Sequence, residues 1–241
     1  MRALGIVAAL AAEARALGAP WPGRTGSVTL PGGARLATSG VGCAAAARSA
    51  AALIDAGCGA LASCGLAGGL DPSLAAGTLV VPEALIRSGG PALATSAPWR
   101  ERIARALAAE RPVAGGLLLT SERALETRAQ KSHAFRDTGA AAVDMESYAV
   151  AEVARARGVP FVAVRVIVDA ASDELPRAVV LAAASCGGVS IARLLRALAR
   201  EPGLLGPLLN LAHRYHAARG SLRALGRSGV LCEAELGGPG P

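Results

Sequence analysis

Asp169 stands where a carboxyl can do chemistry. Phe161–Val168 is a β-branched apolar run broken only by Arg165, which predicts a strand buried on both faces, and Asp169 ends it. Ligands of α/β folds sit beyond the carboxyl ends of the strands, so this acid either acts on a ligand or caps the helix that follows. A second pair of acids precedes the strand. In Val143-Asp144-Met145-Glu146-Ser147, Asp144 can cap a helix whose first turn holds Glu146, where the helix dipole favours a carboxylate. Two glycine-bearing segments lie upstream. Gly40-Val41-Gly42-Cys43-Ala44-Ala45 has dinucleotide-fingerprint spacing, but Asp55 falls too early, and inside the expected helix, to be the acid needed about twenty residues on. A tight turn whose amides face a small polar ligand is the plainer reading. In Ser63-Cys64-Gly65-Leu66-Ala67-Gly68-Gly69-Leu70 the glycines either form a turn or let the backbone approach a ligand closely. Glu13 follows the first expected strand, on a short helix.

Taken in order, Gly5–Glu13, Ser63–Leu70 with Gly77–Pro82, and Val143–Ser147 with Val164–Asp173 resemble the purine nucleoside phosphorylase and methylthioadenosine/S-adenosylhomocysteine nucleosidase superfamily. The likeness spans residues 1–175, and its specificity lies in the set of three motifs. The resemblance implies that Met145 and Glu146 bind ribose and that Asp169 protonates the purine as it leaves. It also implies that Glu13 activates the attacking water. Ser39, Gly40 and Gly42 would border the nucleophile or phosphate pocket, with Ser63, Cys64 and Gly65 close to sugar and base. Asp-Met-Glu-Ser and Asp169…Asp173-Glu174-Leu175-Pro176 look most like the hopanoid-associated phosphorylase branch, which acts on adenosylhopane. Other readings are a methylthioadenosine/S-adenosylhomocysteine-type nucleosidase, a non-catalytic nucleoside-binding protein, and a basic surface-binding module.

The chain also departs from that pattern. The Gly-Asp-Pro-x-x-Arg turn with which the superfamily's phosphorylases hold phosphate is absent, and the place of their second arginine, near Ala60, is apolar; Arg15 and Arg48 are the substitutes. The resemblance therefore leaves water and phosphate both open, with phosphate a possible co-substrate and no other cofactor. Leu125 is the nearest candidate for the aromatic ring that stacks on the purine, and Leu66 replaces a usual serine. Both changes point to a more apolar pocket.

The elements that must position these groups alternate. Strands are expected at Leu4–Ala8, Ser27–Leu30, Arg35–Ser39, Ala60–Cys64, Thr78–Pro82, Gly116–Thr120 and Phe161–Val168. Helices are expected at Ala11–Leu17, Cys43–Ala56, Pro98–Ala109, Glu126–Arg136, from Asp144 to Gly158, and from Leu175 onward. This order predicts a single-domain three-layer α/β/α fold around a mixed, largely parallel twisted sheet.

The chain has 241 residues, 52% of them hydrophobic but only 2% aromatic, so one aliphatic core is expected. The five cysteines form no CxxC pair and have no neighbouring histidines, which argues against a zinc site or a disulfide framework and fits a reducing cytoplasm. Glu13 and Arg15 interrupt the apolar start too early for a secretion signal. Of the net charge of +7, nearly all lies between Arg193 and Arg227, where seven arginines face Glu201 alone. The basic character is thus a local patch, and no nucleic-acid partner is expected. Within it, Leu211, Tyr215, Ala218, Leu222 and Leu225 make an apolar helical stripe flanked by Arg214, Arg219, Arg223 and Arg227. The sequence therefore divides into a catalytic domain over 1–200, a basic amphipathic extension over 201–236 and a disordered tail over 237–241. Such a helix can dock on an anionic membrane, bringing the enzyme to a lipid-linked nucleoside, or pack on the core with its arginines solvated. A homo-oligomer is expected from the resemblance.

Overall fold

The computed structural model describes residues 3–20, 26–174, 203 and 205–231. Its centre is the pair β4 (Ala60–Gly69) and β11 (Phe161–Asp169), parallel from Leu61 opposite Phe161 to Gly68 opposite Asp169. β1 (Leu4–Ala8) flanks β4 on its other side, then β3 (Arg35–Thr38) and the short antiparallel edge β2 (Ser27–Thr29). The far end of β4 changes partner. Gly68 and Gly69 pair antiparallel with β10 (Ala140–Asp144), which continues parallel to β9 (Leu117–Thr120) and thence to β6 (Ala84–Ile86) and β7 (Leu93–Ala94). β5 (Leu79–Val80) lies antiparallel on β11 and carries β8 (Val113–Ala114). The sheet is mixed and largely parallel, as expected.

Helices cover both faces. α1 (Ala11–Ala16), α3 (Ala97–Leu107) and α6 (Leu205–Arg227) bury Ala14, Trp99, Ile103, Leu222 and Leu225 with Ile6, Val164 and Val166. On the other face α2 (Cys43–Asp55) and α5 (Ser147–Ala156) bury Ala46, Ala50, Leu53, Tyr148 and Val150 with Val7, Leu61 and Ala163. α4 (Arg128–Thr138) sits beside β10. It starts at a capping box, Thr127 Oγ1 accepting the Gln130 N–H, and stops at Gly139 in the left-handed region.

Four expectations change. The glycines after Cys64 are not a turn but the second half of β4, so the backbone stays extended where it meets the site. Asp144 does not begin α5; it ends β10, and the helix starts at Ser147 with Glu146 as N-cap. Asp144 still caps, because its Oδ2 accepts the Ser147 N–H at 2.9 Å. Alanine-rich β10 carries no strand signal of its own, and two-residue strands such as β7 and β8 are too short to give one. Finally, the stripe on α6 is core. Ala218, Leu222 and Leu225 are buried, Ser221 Oγ donates to Gly77 O at 2.7 Å, and a Cβ on Gly226 would stand 2.8 Å from the Leu17 carbonyl. This half of α6 packs on the core, and its stripe is not free to enter a membrane. The helices expected between Leu175 and Arg200, and the tail, lie outside the described residues.

Candidate active site

The arginine that interrupts the β11 run is the hub. Arg165, 1% exposed, stands opposite Gly65 on β4. Its Nη2 pairs with Asp144 Oδ2 at 2.6 Å and donates to Ser63 Oγ at 2.8 Å; its Nε donates to Ser147 Oγ at 3.0 Å. Glu146 Oε2 lies 3.9 Å from Nη2. Burial opposes the guanidinium's charge while Asp144, Glu146 and Glu13 favour it, with a net upward shift of its pKa. Nη1 is buried and has no hydrogen-bond partner among the described residues. Sequence reading passed over Arg165, although an arginine inside a doubly buried strand must meet acids, and this was the available signal.

Glu146 and the Ser39–Gly42 turn come together across more than a hundred residues. The Gly42 N–H donates to Glu146 Oε1 at 2.9 Å and Cys43 Sγ to Met145 O at 3.2 Å; Gly42 has φ 101°, open to glycine at little cost. Ser39 Oγ donates to Gly40 O at 2.7 Å, closing the turn. One amide of the turn is thus spent on a carboxylate, which accounts for the turn without a dinucleotide. Burial pushes the Glu146 carboxyl up and Arg165 pulls it back. Met145, half-buried, precedes it.

Glu13 is the third residue of α1. Its Oε2 accepts the Leu10 N–H and its Oε1 the Leu66 N–H, both at 2.8 Å, so the serine-to-leucine change at 66 leaves the backbone contact intact. Burial raises its pKa and Arg165 opposes the rise. Gly65 makes this neighbourhood possible: a Cβ there would collide with Arg165 Nη1 and stand 2.8 Å from Glu13 Oε1. The unpartnered guanidinium nitrogen and the Glu13 carboxylate therefore stand together over Gly65, in the place a side chain would fill.

Asp169 lies one irregular step further along β11, beyond a register shift between Ile167 and Asp169. A Cβ on Gly68 would sit 3.4 Å from its Oδ2, so the glycines of β4 clear room for both Arg165 and Asp169. Fully buried Lys131 of α4 pairs with Asp169 Oδ2. The Asp169 pKa is raised to about 6, chiefly by burial, with Lys131 pulling downward. Lys131 was the second residue that sequence reading missed; its signal was being the chain's lone lysine.

Other expected positions separate. Leu125 packs, as Phe135 does, against the apolar cluster of Leu70, Ala140 and Val143 at β10. Ser63 belongs to the Arg165 cluster, but the Cys64 side chain turns into the core with Val164 and Val166, and burial lifts its thiol to about 12. Only its backbone is at the site. Arg15 and Arg48 are exposed on α1 and α2. Among the described residues no group of histidine, cysteine and acid side chains could hold a metal ion, and no helix is long and apolar enough to cross a membrane.

This mixed sheet, with carboxylates gathered around the far ends of β4 and β11, is the α/β architecture of the nucleoside phosphorylases. Residues 12–200 match the model of the phosphorylase superfamily, and the chain belongs to that family of enzymes. No curated protein sequence matches. Among solved structures, the Campylobacter jejuni 5′-methylthioadenosine/S-adenosyl homocysteine nucleosidase is similar at TM-score 0.71 and 17% identity, covering 97% of this chain and 99% of that one. Futalosine hydrolase of Helicobacter pylori gives TM-score 0.68 at 16% identity, covering 96% and 97%. The Streptococcus pyogenes S-adenosylhomocysteine nucleosidase, bound to 5-methylthiotubericidin, gives 0.61 at 23%, covering 71% and 85%. At these identities the likeness is one of fold.

Proposed function

We propose that this enzyme cleaves the N-glycosidic bond of a purine nucleoside and releases adenine, with water as the nucleophile. One observation carries the reading: the glycines of β4 leave room for Glu13 and Arg165 at Gly65 and for Asp169 at Gly68, and Arg165 brings Glu146 to the same cluster. Cleavage passes through an oxocarbenium-like sugar, which needs an acid for the leaving base, an anion beside the sugar and a positioned nucleophile. Asp169, with a pKa near neutrality, supplies the proton to the purine. Glu146, held by the Gly42 amide and Arg165, accepts hydrogen bonds from ribose hydroxyls while Met145 packs on the sugar. Glu13, beside Arg165 over Gly65, activates the attacking water. Hydrolysis is favoured over phosphorolysis because Arg15 and Arg48 are exposed on helices and Arg165 is already committed to carboxylates.

For the 5′ substituent we propose an apolar group of the adenosylhopane kind, supported by half-buried Leu125 on the apolar cluster beside β10 and by Leu66 in place of a serine. Attachment to an anionic membrane would then rest on Arg223 and Arg227, which α6 leaves exposed, rather than on its buried stripe. The test is mass spectrometry of products from adenosylhopane and from 5′-methylthioadenosine, with and without phosphate. Free adenine and a ribosyl lipid in phosphate-free buffer are expected. Strict phosphate dependence overturns hydrolysis; faster turnover of methylthioadenosine overturns the lipid substituent. Tight nucleoside binding without adenine release overturns catalysis.

A further inference from the structure

Lys131 is a buried charge that the reaction above does not use. It is the only lysine of the chain and is fully buried. Its ammonium has three donors, and all are spent at the end of β11: one on Asp169 Oδ2, one on Ala170 O at 2.9 Å and one on Asp173 O at 3.0 Å. The turn it grips is fastened twice more, since Asp173 Oδ2 accepts the Ala170 N–H at 2.8 Å and pairs with Arg214 of α6 at 3.0 Å. Asp169 Oδ1 takes no hydrogen bond from any described residue.

We propose that Lys131 is the positioning residue for proton transfer at Asp169, holding Oδ2 so that the transferable proton sits on Oδ1 and stabilising the carboxylate left behind when that proton moves to the base. This rests on the reading of Asp169 as the acid. In the step itself the proton passes from Oδ1 to a purine ring nitrogen, and the electron pair of the glycosidic bond leaves with the base. The negative charge that remains develops against a fixed ammonium. That interaction is stronger in the transition state than with the neutral acid, so it lowers the barrier as well as orienting the group. Without Lys131, burial alone would govern the carboxyl and make it a weaker acid. The other charged groups facing Asp169 are Asp173, in the turn, and Arg214, from α6; they oppose one another. The neighbouring residues of β4 and β10, Gly68 and Val143, carry no charge.

Because the chain has one lysine, lysine-selective ¹³C/¹⁵N labelling of the full-length protein gives a single side-chain signal. That signal should move as Asp169 titrates, and the movement should vanish in Asp169→Asn. A resonance that stays constant across the titration, or moves identically in Asp169→Asn, overturns the coupling, and this readout needs no turnover. The kinetic arm compares Lys131→Gln with Lys131→Arg. In Lys131→Gln the alkaline limb of kcat/KM for adenine release should move up by about one pH unit or more, with a lower plateau, while Lys131→Arg keeps the wild-type limb. Gln and Arg variants with superimposable limbs reduce Lys131 to a structural tie and overturn the proposal. Absence of any adenine release from wild type defeats the reading of the reaction, while the lysine signal still decides whether Lys131 and Asp169 are coupled.

Discussion

Arg165 Nη2 lies 2.6 Å from Asp144 Oδ2 with neither side chain more than 1% exposed, so one buried ion pair joins β11 to the end of β10. Removing one partner of such a pair leaves the other as an uncompensated buried charge, which costs about 3–5 kcal/mol. Arg165→Met should therefore lower stability by that amount in urea unfolding and abolish adenine release, because Glu146 loses its counter-charge as well. Arg165→Lys keeps a charge but offers no fork to span Asp144, Ser63 and Ser147, so it should recover part of the stability and little activity. Wild-type stability in Arg165→Met would contradict the role of hub.

Gly65 separates a functional glycine from a merely conformational one. Its added methyl would meet Arg165 Nη1 and Glu13, whereas one on Gly57, at φ 95°, meets nothing within 4 Å. Gly65→Ala should reduce kcat/KM at least about tenfold by displacing Arg165 and the proposed base Glu13. Gly57→Ala should cost about 1–2 kcal/mol of backbone strain and leave kcat/KM alone. Steady-state kinetics beside thermal unfolding of the two variants separates these outcomes; equal activity in both would empty the space over Gly65 of meaning.

What the sequence disclosed and what it hid divide along physical lines. β1, β3, α2 and β11 were legible because alternation, β-branching and terminal glycines act within a few residues. The acids at 13, 146 and 169 were singled out through the resemblance, and the structure buries all three. Arg165 and Lys131 were not, since their meaning depends on partners contributed by β10, β4 and the turn after β11. β10 was hidden because Ala140–Asp144 is almost all alanine and its pairing is decided by β4 and β9. The α6 stripe was read correctly as apolar and helical, but periodicity cannot say whether such a face meets lipid or core; β11 and α1 decided that.

The nucleophile can be tested through Glu13. Burial keeps its carboxyl above the usual range, where a base for water is more effective near neutral pH, and the two amides from Leu10 and Leu66 hold it in place. Glu13→Gln preserves shape and should lower adenine release roughly 10²–10⁴-fold in phosphate-free buffer, with a thermal midpoint close to wild type. Recovery of the variant by added phosphate would assign the attack to phosphate.

Asp169 gives a prediction in which rate and stability have the same cause. Its pKa rises from the ordinary aspartate value of 3.8 to about 6, so in that window the folded chain holds a proton that the unfolded chain has released. Stability from this group is complete below the lower value and is lost as pH rises through the upper one. Asp169→Asn has no such proton. Thermal midpoints measured from about pH 4 to pH 7 should therefore fall more steeply with pH in wild type than in Asp169→Asn, Glu13 and Glu146 contributing to both. Parallel curves would mean that the carboxyl is not held this way. As the proposed acid, the same group sets the rate. Only the protonated acid can donate to the base, so wild-type kcat/KM should decline above about pH 6. Asp169→Asn should lose roughly 10²–10⁴-fold at the plateau without losing its fold, and adenine release within threefold of wild type would remove Asp169 from the role of acid.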